Sequence, residues 1–419
     1  MNEVNASIIT IGDELLIGQT IDTNSAVIAQ ELNKIGIWVK TRIAIGDVKE
    51  EILKALKEQS KNAQIIILTG GLGPTADDIT KPALCEYFNS TLTVDEAAKE
   101  NVISIFTKLN RPLTERNLKQ AELPDNCRAL LNLRGTAPGM WFEKEGVVYI
   151  SLPGVPHEMA GLMESSVIPE LEKHFTLPFI VHKAAVTYGV GESTIADTLI
   201  DFENSLPPYI KLAYLPSYGS VKLRLTGKGK NKNELENELH QLHRKLSSLV
   251  KEWLITDEDI TIQDVLGKLL DKHKKFVGSA ESCTGGYIAH LLTSRSGSSS
   301  SFKGSVVSYA NETKENPLGV QHATLVKYGA VSEETITEMV EGAINLLNVD
   351  YVVATSGIMG PEGGTKEKPV GTVWVAVGNR ETVKAEKHFV RFDRKRNIEI
   401  TGQIALNTLR KFIIEMEEK

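Results

Sequence analysis

A hydroxyl and a thiol stand side by side in Ser279-Ala280-Glu281-Ser282-Cys283-Thr284-Gly285-Gly286. Either becomes a nucleophile when it loses its proton: Ser282 to a neighbouring base, Cys283 to the low thiol pKa that a helix N-terminus favours. The apolar pair Phe276-Val277 precedes this stretch, and Ile288, Leu291 and Leu292 follow it at helical spacing. The pattern predicts a strand, a turn and an amphipathic helix. Unpaired N–H groups and the helix dipole at such a turn favour an anion. Gly285 and Gly286 remove side chains and let a ligand approach the backbone. The same residues also suit a plain N-cap followed by a packing glycine pair. The turn alone therefore defines no activity.

Three further segments supply partners. Val307-Ser308-Tyr309-Ala310-Asn311-Glu312-Thr313-Lys314 offers a phenol and an amine after a predicted strand. Thr355-Ser356-Gly357-Ile358-Met359-Gly360-Pro361-Glu362-Gly363-Gly364 is a Gly-rich loop suited to cradling phosphate with backbone N–H groups. Phe392-Asp393-Arg394 places a guanidinium at a helix start. Lys314 serves as a base only if burial lowers its pKa by roughly 3 units, about 4 kcal/mol. No sequence pattern reports that burial.

Near the other end, Thr69-Gly70-Gly71-Leu72-Gly73-Pro74-Thr75-Ala76-Asp77-Asp78 follows a predicted strand. Gly70, Gly71, Gly73 and Thr75 form a candidate phosphate loop, and Asp77 and Asp78 are placed to orient a divalent ion beside it. The competing reading is a tight turn whose acidic residues favour a helix dipole. Gly12-Asp13-Glu14 and Thr20-Ile21-Asp22-Thr23-Asn24-Ser25 add carboxylates and hydroxyls at neighbouring strand ends, which makes Asp13 a third candidate metal ligand. Leu152-Pro153-Gly154-Val155-Pro156-His157-Glu158-Met159 adds another loop. His157-Glu158 lacks the second His of an H-E-x-x-H zinc site.

Strand–helix alternation runs through both ends of the chain. Ser7 to Ile11 and Gln64 to Leu68 read as buried strands, and Thr23 to Leu32 as a helix capped near Asn24 or Ser25. Such alternation predicts a mostly parallel, doubly wound sheet with ligands at the carboxyl ends of its strands. From 171 to 256 the pattern changes to a small α+β module: strands over Val181 to Thr187 and Val221 to Leu225, helices over Ser193 to Phe202 and Glu234 to Trp253. The expected architecture is two α/β domains, 1–170 and 257–419, joined by that module at 171–256. With 419 residues, each part has room for its own core. The net charge of −7 argues against a general nucleic-acid or anionic-membrane binder. Cys85, Cys127 and Cys283 form no disulfide or CxxC pattern, so a reducing cytoplasm is expected. Neither a signal peptide nor a membrane-spanning run is read from the sequence.

The C-terminal motifs, together with Lys368-Pro369-Val370-Gly371-Thr372-Val373, closely resemble the CinA C-terminal family. Members of that family hydrolyse the carboxamide of nicotinamide mononucleotide to nicotinate mononucleotide and ammonia. The resemblance implies Ser282 as nucleophile, Lys314 as catalytic lysine and Tyr309 as assisting tyrosine. It implies substrate contacts from Thr284, Gly285, Gly286, Ser356, Gly357, Gly360, Gly363 and Gly364. Ser299 falls where the family has a site serine, and Arg394 where it has a phosphate-binding arginine. In this chemistry Ser282 attacks the amide carbon, Lys314 takes its proton, and the oxyanion faces N–H groups of the helix start. Cys283 remains the rival nucleophile; its other role is a small buried residue packing the turn. No cofactor is implied for this amidase.

Gly12-Asp13-Glu14, the Gly70 to Asp78 loop and the Pro153 to Met159 loop resemble the N-terminal domain of full-length CinA proteins. That domain is similar to the molybdopterin-binding fold, and in CinA proteins it is associated with hydrolysis of ADP-ribose to AMP and ribose 5-phosphate. A divalent metal and potassium are the implied cofactors. The middle module resembles the family's KH-like domain. Its Lys222, Arg224, Lys228, Lys230 and Lys232 form a basic stretch, yet Gly189-Val190-Gly191-Glu192 is not the GXXG clamp of RNA-binding KH domains. The implied partners are small nucleotides, not membrane or nucleic acid, and a homodimer is expected. The alternative is a non-catalytic competence or DNA-damage accessory protein that binds a nucleotide or molybdopterin-like ligand.

Overall fold

A computed structural model describes residues 4–75, 78–217 and 219–418. Two compact units emerge, Met1–Val181 with Gly227–Asn237, and His182–Thr226 with Glu238–Lys419.

The strands of the first part are β1 (Asn5–Ile11), β2 (Trp38–Ile45), β3 (Ile65–Thr69), β4 (Leu92–Val94), β5 (Glu122–Pro124), β6 (Arg128–Leu130), β7 (Gly139–Lys144) and β8 (Val147–Leu152). Six of them form a sheet in the order β2-β1-β3-β8-β7-β6, while β4 and β5 pair separately. Every residue of β1 and β3 is buried, as strands covered on both faces must be. Side chains alternate between two cores. Ile8, Ile65 and Ile67 meet Ile28 and Leu32 of the helix Asn24–Lys34. Ile9, Ile66 and Leu68 meet Ile52 and Leu56 of the helix Lys49–Gln59. Each such side chain contributes about 1.5–3 kcal/mol on burial. The helix starts at Asn24, one residue later than expected, and neither Asn24 nor Ser25 is the cap: Thr23 holds that place without a side-chain bond.

The sheet is less parallel than the alternation predicts. β2, β1, β3 and β8 run parallel, but β7 and β6 run antiparallel. The cause is the two-residue link Glu145-Gly146, both at positive φ (54° and 76°). A link that short closes a hairpin and cannot make a parallel crossover.

The α+β module contains β9 (Phe179–Tyr188), β10 (Ile210–Ser217), β11 (Ser220–Gly229) and β12 (Leu254–Thr256), in the order β10-β11-β9-β12. Its helices are Glu192–Asn204 and Lys232–Leu249. β11 buries Val221, Leu223 and Leu225 and turns Lys222 and Arg224 outward, the expected period of two. Lys222 pairs with Asp259 at 2.5 Å.

The last sheet holds β13 (Val277–Glu281), β14 (Phe302–Val307), β15 (Tyr351–Gly357), β16 (Thr372–Gly378) and β17 (Val383–Phe389), in the order β14-β13-β15-β16-β17. The first three strands in that order are parallel and the last two antiparallel. One face packs on the helices Ile262–His273, Tyr287–Thr293 and Arg394–Glu417; the other packs on Glu333–Leu347. Among the described residues no helix is long and apolar enough to cross a membrane.

Candidate active site

Parallel register sets the site. Glu281 stands opposite Val307 on β14 and Thr355 on β15, so the segments beginning at Ser282, Ser308 and Ser356 leave the same edge of the sheet. The Ser282 N–H donates to Thr355 O at 2.9 Å, and the Ser308 N–H to Glu281 O at 2.8 Å. Gly285 and Gly286 both adopt positive φ (60° and 95°), which only glycine adopts without strain. A Cβ at Gly285 would meet nothing within 4 Å, so the turn is open there.

The sequence reading assigned no role to Glu281, yet it organises the turn. Its wholly buried carboxylate accepts the N–H groups of Gly286, Ile288 and Ala289 at 3.0, 3.0 and 2.8 Å. It also accepts the Thr284 hydroxyl at 2.7 Å. Two expectations change as a result. The helix-start amides expected to hold an oxyanion are taken by Glu281. Among the described residues, Cys283 and Thr284 have the amides at this turn that neither a backbone carbonyl nor Glu281 accepts. Thr284, expected to contact substrate, instead shares its hydroxyl between Glu281 and Thr355, the latter at 2.7 Å.

Lys314 lies in the short helix Asn311–Glu315 and is 1% exposed. Its Nζ donates to Ser308 O at 2.7 Å and Tyr309 O at 3.3 Å, and no carboxylate pairs with it among the described residues. Burial therefore pulls its pKa below the usual lysine value. Ser308 couples the two halves of the site, because its carbonyl holds Lys314 and its N–H holds the residue before Ser282. Its own hydroxyl is buried without a partner among the described residues.

Cys283 is buried, and desolvation pushes its thiol up to about 12. A thiol so disposed stays protonated near neutral pH, which favours the packing role over the nucleophilic one. Asp393 caps the long terminal helix by accepting the Arg396 N–H at 3.0 Å, which fixes Arg394 as its first residue. Arg394 then donates to the Tyr309 hydroxyl at 2.9 Å and to Gly360 O at 2.9 Å. Tyr309 is 62% exposed at the mouth of the site.

Other expected contacts are placed differently. Ser356 is buried and its hydroxyl donates to Ala330 O at 2.6 Å. The glycine-rich segment joins antiparallel β15 and β16 rather than opening a helix. Gly357 and Gly364 there answer close backbone packing: added Cβ atoms would stand 2.8 Å from Thr372 O and 2.7 Å from Val370 N. Gly360 and Gly363 adopt positive φ. Ser299 is exposed on the one-turn helix Ser298–Ser300 that precedes β14. That is the amino edge of the parallel strands, so within one chain the sheet does not bring Ser299 to Ser282; five strand residues separate the edges by roughly 16 Å.

In the first unit, the Asp13 turn, the Gly70 loop and the Gly154 loop leave the carboxyl ends of β1, β3 and β8, one edge of the sheet. The loop is closed on itself. Asp78 accepts the N–H groups of Gly73 and Thr75 at 2.7 and 2.8 Å and the Thr75 hydroxyl as well. The Gly70 N–H donates to Leu152 O at 3.1 Å. Gly70 and Gly71 take positive φ, and a Cβ on Gly70 would stand 2.2 Å from Ile11 O. Asp13 is exposed; its N–H donates to the Asp47 carboxylate at 3.1 Å and its own carboxylate accepts the Asp47 N–H at 3.2 Å. Asp77 lies outside the described residues. No group of three or more His, Cys, Asp or Glu suited to a metal occurs among the described residues, and Asp78 is already engaged.

A polar cluster at that edge was not foreseen. Asn24 donates to Thr69 Oγ1 at 3.1 Å and Gly154 O at 2.7 Å, and its own Oδ1 is buried without a partner among the described residues. Asp22 accepts Thr10 Oγ1 at 3.2 Å and also the Ser25 hydroxyl, onto which Arg42 closes at 2.6 Å. The sequence placed the carboxylates and hydroxyls of Thr20 to Ser25 at this strand edge, but not the bonds that tie Asn24 to Thr69 and Gly154.

These features define a three-part protein. Residues 7–173 match the family model described as "Probable molybdopterin binding domain", 182–255 the Damage-inducible protein CinA KH domain, and 259–413 the CinA C-terminal domain. A CinA-like protein from Cytophaga hutchinsonii is 45% identical, covering 99% of both chains. One from Flavobacterium psychrophilum is 44% identical, covering 99% of this chain and 100% of that one. The chain belongs to the CinA family. A solved competence/damage inducible protein CihA from Agrobacterium tumefaciens is 35% identical, covers 36% of this chain and 96% of its own, and has a TM-score of 0.35.

Proposed function

We propose that the C-terminal domain is an amidohydrolase that converts nicotinamide mononucleotide to nicotinate mononucleotide and ammonia. The observation that carries this reading is Lys314: a buried amine without a carboxylate partner, held on the carbonyl of Ser308 beside the open Ser282 turn. Burial favours its neutral form, which is what a general base requires. Ser282 Oγ bonds to the carboxamide carbon as its proton passes to Lys314. The C–N bond then breaks, Lys314 returns the proton to the leaving nitrogen, and ammonia departs. Water attacks the acyl-serine with the same lysine as base, which releases the carboxylate and restores Ser282. Arg394, hydrogen-bonded to Tyr309 at 2.9 Å, supplies the guanidinium assigned to the phosphate of the mononucleotide in this reading. Incubating the full chain with nicotinamide mononucleotide should yield ammonia and nicotinate mononucleotide in equal amounts; an intact carboxamide would refute the reading.

A second activity, hydrolysis of ADP-ribose in the first domain, is supported by Asn24 Oδ1 at the carboxyl edge of its sheet, a buried acceptor without a partner among the described residues and open to a ribose hydroxyl or a cation. ADP-ribose itself is the substrate to test, with divalent metal and potassium supplied, and AMP and ribose 5-phosphate as the products to detect. The expected assembly is a homodimer, to be checked by sedimentation.

A further inference from the structure

The second unit contains a cavity of about 720 Å³ whose lining does not include Ser282, Tyr309, Lys314 or Arg394. Its walls come from the α+β module (Tyr188, Leu215), the segment 259–264, and two helices of the amidase domain (Tyr287, Glu399). Five half-buried side chains there, Tyr188, Gln263, Tyr287, Glu399 and Gln403, make no hydrogen bond or ion pair among the described residues. A concave space lined by ring faces and a few convergent polar groups free to bond a ligand is the usual form of a small-molecule site. Tyr287 is locked in place: a Cβ on Gly402 would stand 2.8 Å from its ring, so the ring lies against the backbone of the terminal helix.

The lining also says what would fit. Tyr188 and Tyr287 offer ring faces, and Leu215 and Ile255 offer apolar wall. Gln263 and Gln403 each offer a donor and an acceptor for a heterocycle's edge or a sugar hydroxyl. The one lysine of the lining, Lys222, is paired with Asp259, and Asp264 is engaged in capping the helix Ile262–His273, which leaves Glu399 as the carboxylate without a partner among the described residues. A phosphate is repelled there, whereas a neutral or cationic ring is not. We propose that this cavity is a second binding site, for an unphosphorylated nucleoside. It is distinct from the site that would take the mononucleotide.

Calorimetric titration of the full chain with adenosine, nicotinamide riboside and adenosine monophosphate tests this directly, whatever reaction Ser282 performs. Both nucleosides should saturate, with the monophosphate about tenfold weaker or more. Gln403→Trp, which fills the space from the terminal helix, should abolish binding; Ser282→Ala should leave it intact. Glu399→Ala should weaken the cationic nicotinamide riboside more than adenosine, and it carries the test if Gln403→Trp does not fold by circular dichroism. Absence of saturable binding by either nucleoside at millimolar concentration would overturn the proposal. So would equal binding of the monophosphate, or binding unchanged in both cavity variants.

Discussion

The two α/β domains use a carboxylate in the same way and are left with different chemistry. At the carboxyl edge of each sheet, an acidic side chain folds back onto the amides of its own turn: Asp78 onto Gly73 and Thr75, Glu281 onto Gly286, Ile288 and Ala289. Each turn is thereby fixed without a bound ligand. Each domain also buries a lysine that donates only to carbonyls, Lys81 to Gln120 O and Glu122 O, Lys314 to Ser308 O and Tyr309 O. Burial lowers both amines, Lys81 to about 8. The difference is what stands beside the amine. Lys314 is seated on the strand end hydrogen-bonded to the residue before Ser282, whereas Lys81 ties its helix to a distant segment of chain near Cys85 and Cys127, whose thiols burial pushes up. A depressed lysine pKa is thus a sign of burial, and only an adjacent nucleophile makes it a sign of catalysis.

The strongest way to break this comparison is to remove the nucleophile. Ser282→Ala should lower deamidation of nicotinamide mononucleotide by several orders of magnitude. Cys283→Ala should retain most of it, because a thiol pushed to about 12 is not the attacking group. Activity lost in the cysteine variant and kept in the serine variant would reverse the assignment.

Exchanging the lysines comes next. Lys314→Arg should cost roughly 10²–10⁴-fold in kcat, since a guanidinium keeps its proton. The wild-type kcat/KM should fall toward acid as the lowered amine protonates, and a flat acid limb would remove Lys314 from the base role.

Arg394→Ala, which frees Tyr309 and the Gly360 carbonyl, should raise KM about ten- to a hundredfold with a smaller change in kcat. An unchanged KM for the mononucleotide would show that Arg394 only braces the loop. Chelation separates the two domains: EDTA should leave ammonia release unaltered, because Ser282 and Lys314 supply both nucleophile and base. Asp78→Ala should affect only ADP-ribose hydrolysis, and loss of deamidation in either case would sink the division of labour.

The smallest effect is on stability. The folded pKa of Lys81, about 8, lies below the unfolded 10.5, so the unfolded state binds the proton more tightly. That penalty is absent above the unfolded value, grows as pH falls from 10.5 to 8, and is fully present below 8; it amounts to about 3 kcal/mol. Wild-type stability should therefore rise between pH 8 and 10 by denaturant titration, and Lys81→Met should flatten the rise. An unchanged slope in that variant would mean that Lys81 is solvated.

The strands around Ser7 to Ile11 and Gln64 to Leu68 were legible in the sequence because apolar residues dominate on both faces where a sheet is covered on both sides. So was the helix after Ser282, whose Ile288, Leu291 and Leu292 recur on one face and are all buried. The motifs carrying Ser282, Tyr309, Lys314 and Arg394 were equally visible, since they are contiguous and ordered. Three things were decided only in three dimensions. Burial of Lys314 depends on neighbours that no local pattern records. The engagement of Glu281 and Asp78 with nearby amides depends on where a side chain turns, which spacing alone leaves open. The position of Ser299 at the far edge follows from strand direction, because residues just before and just after a strand are close in sequence and a strand's length apart in space.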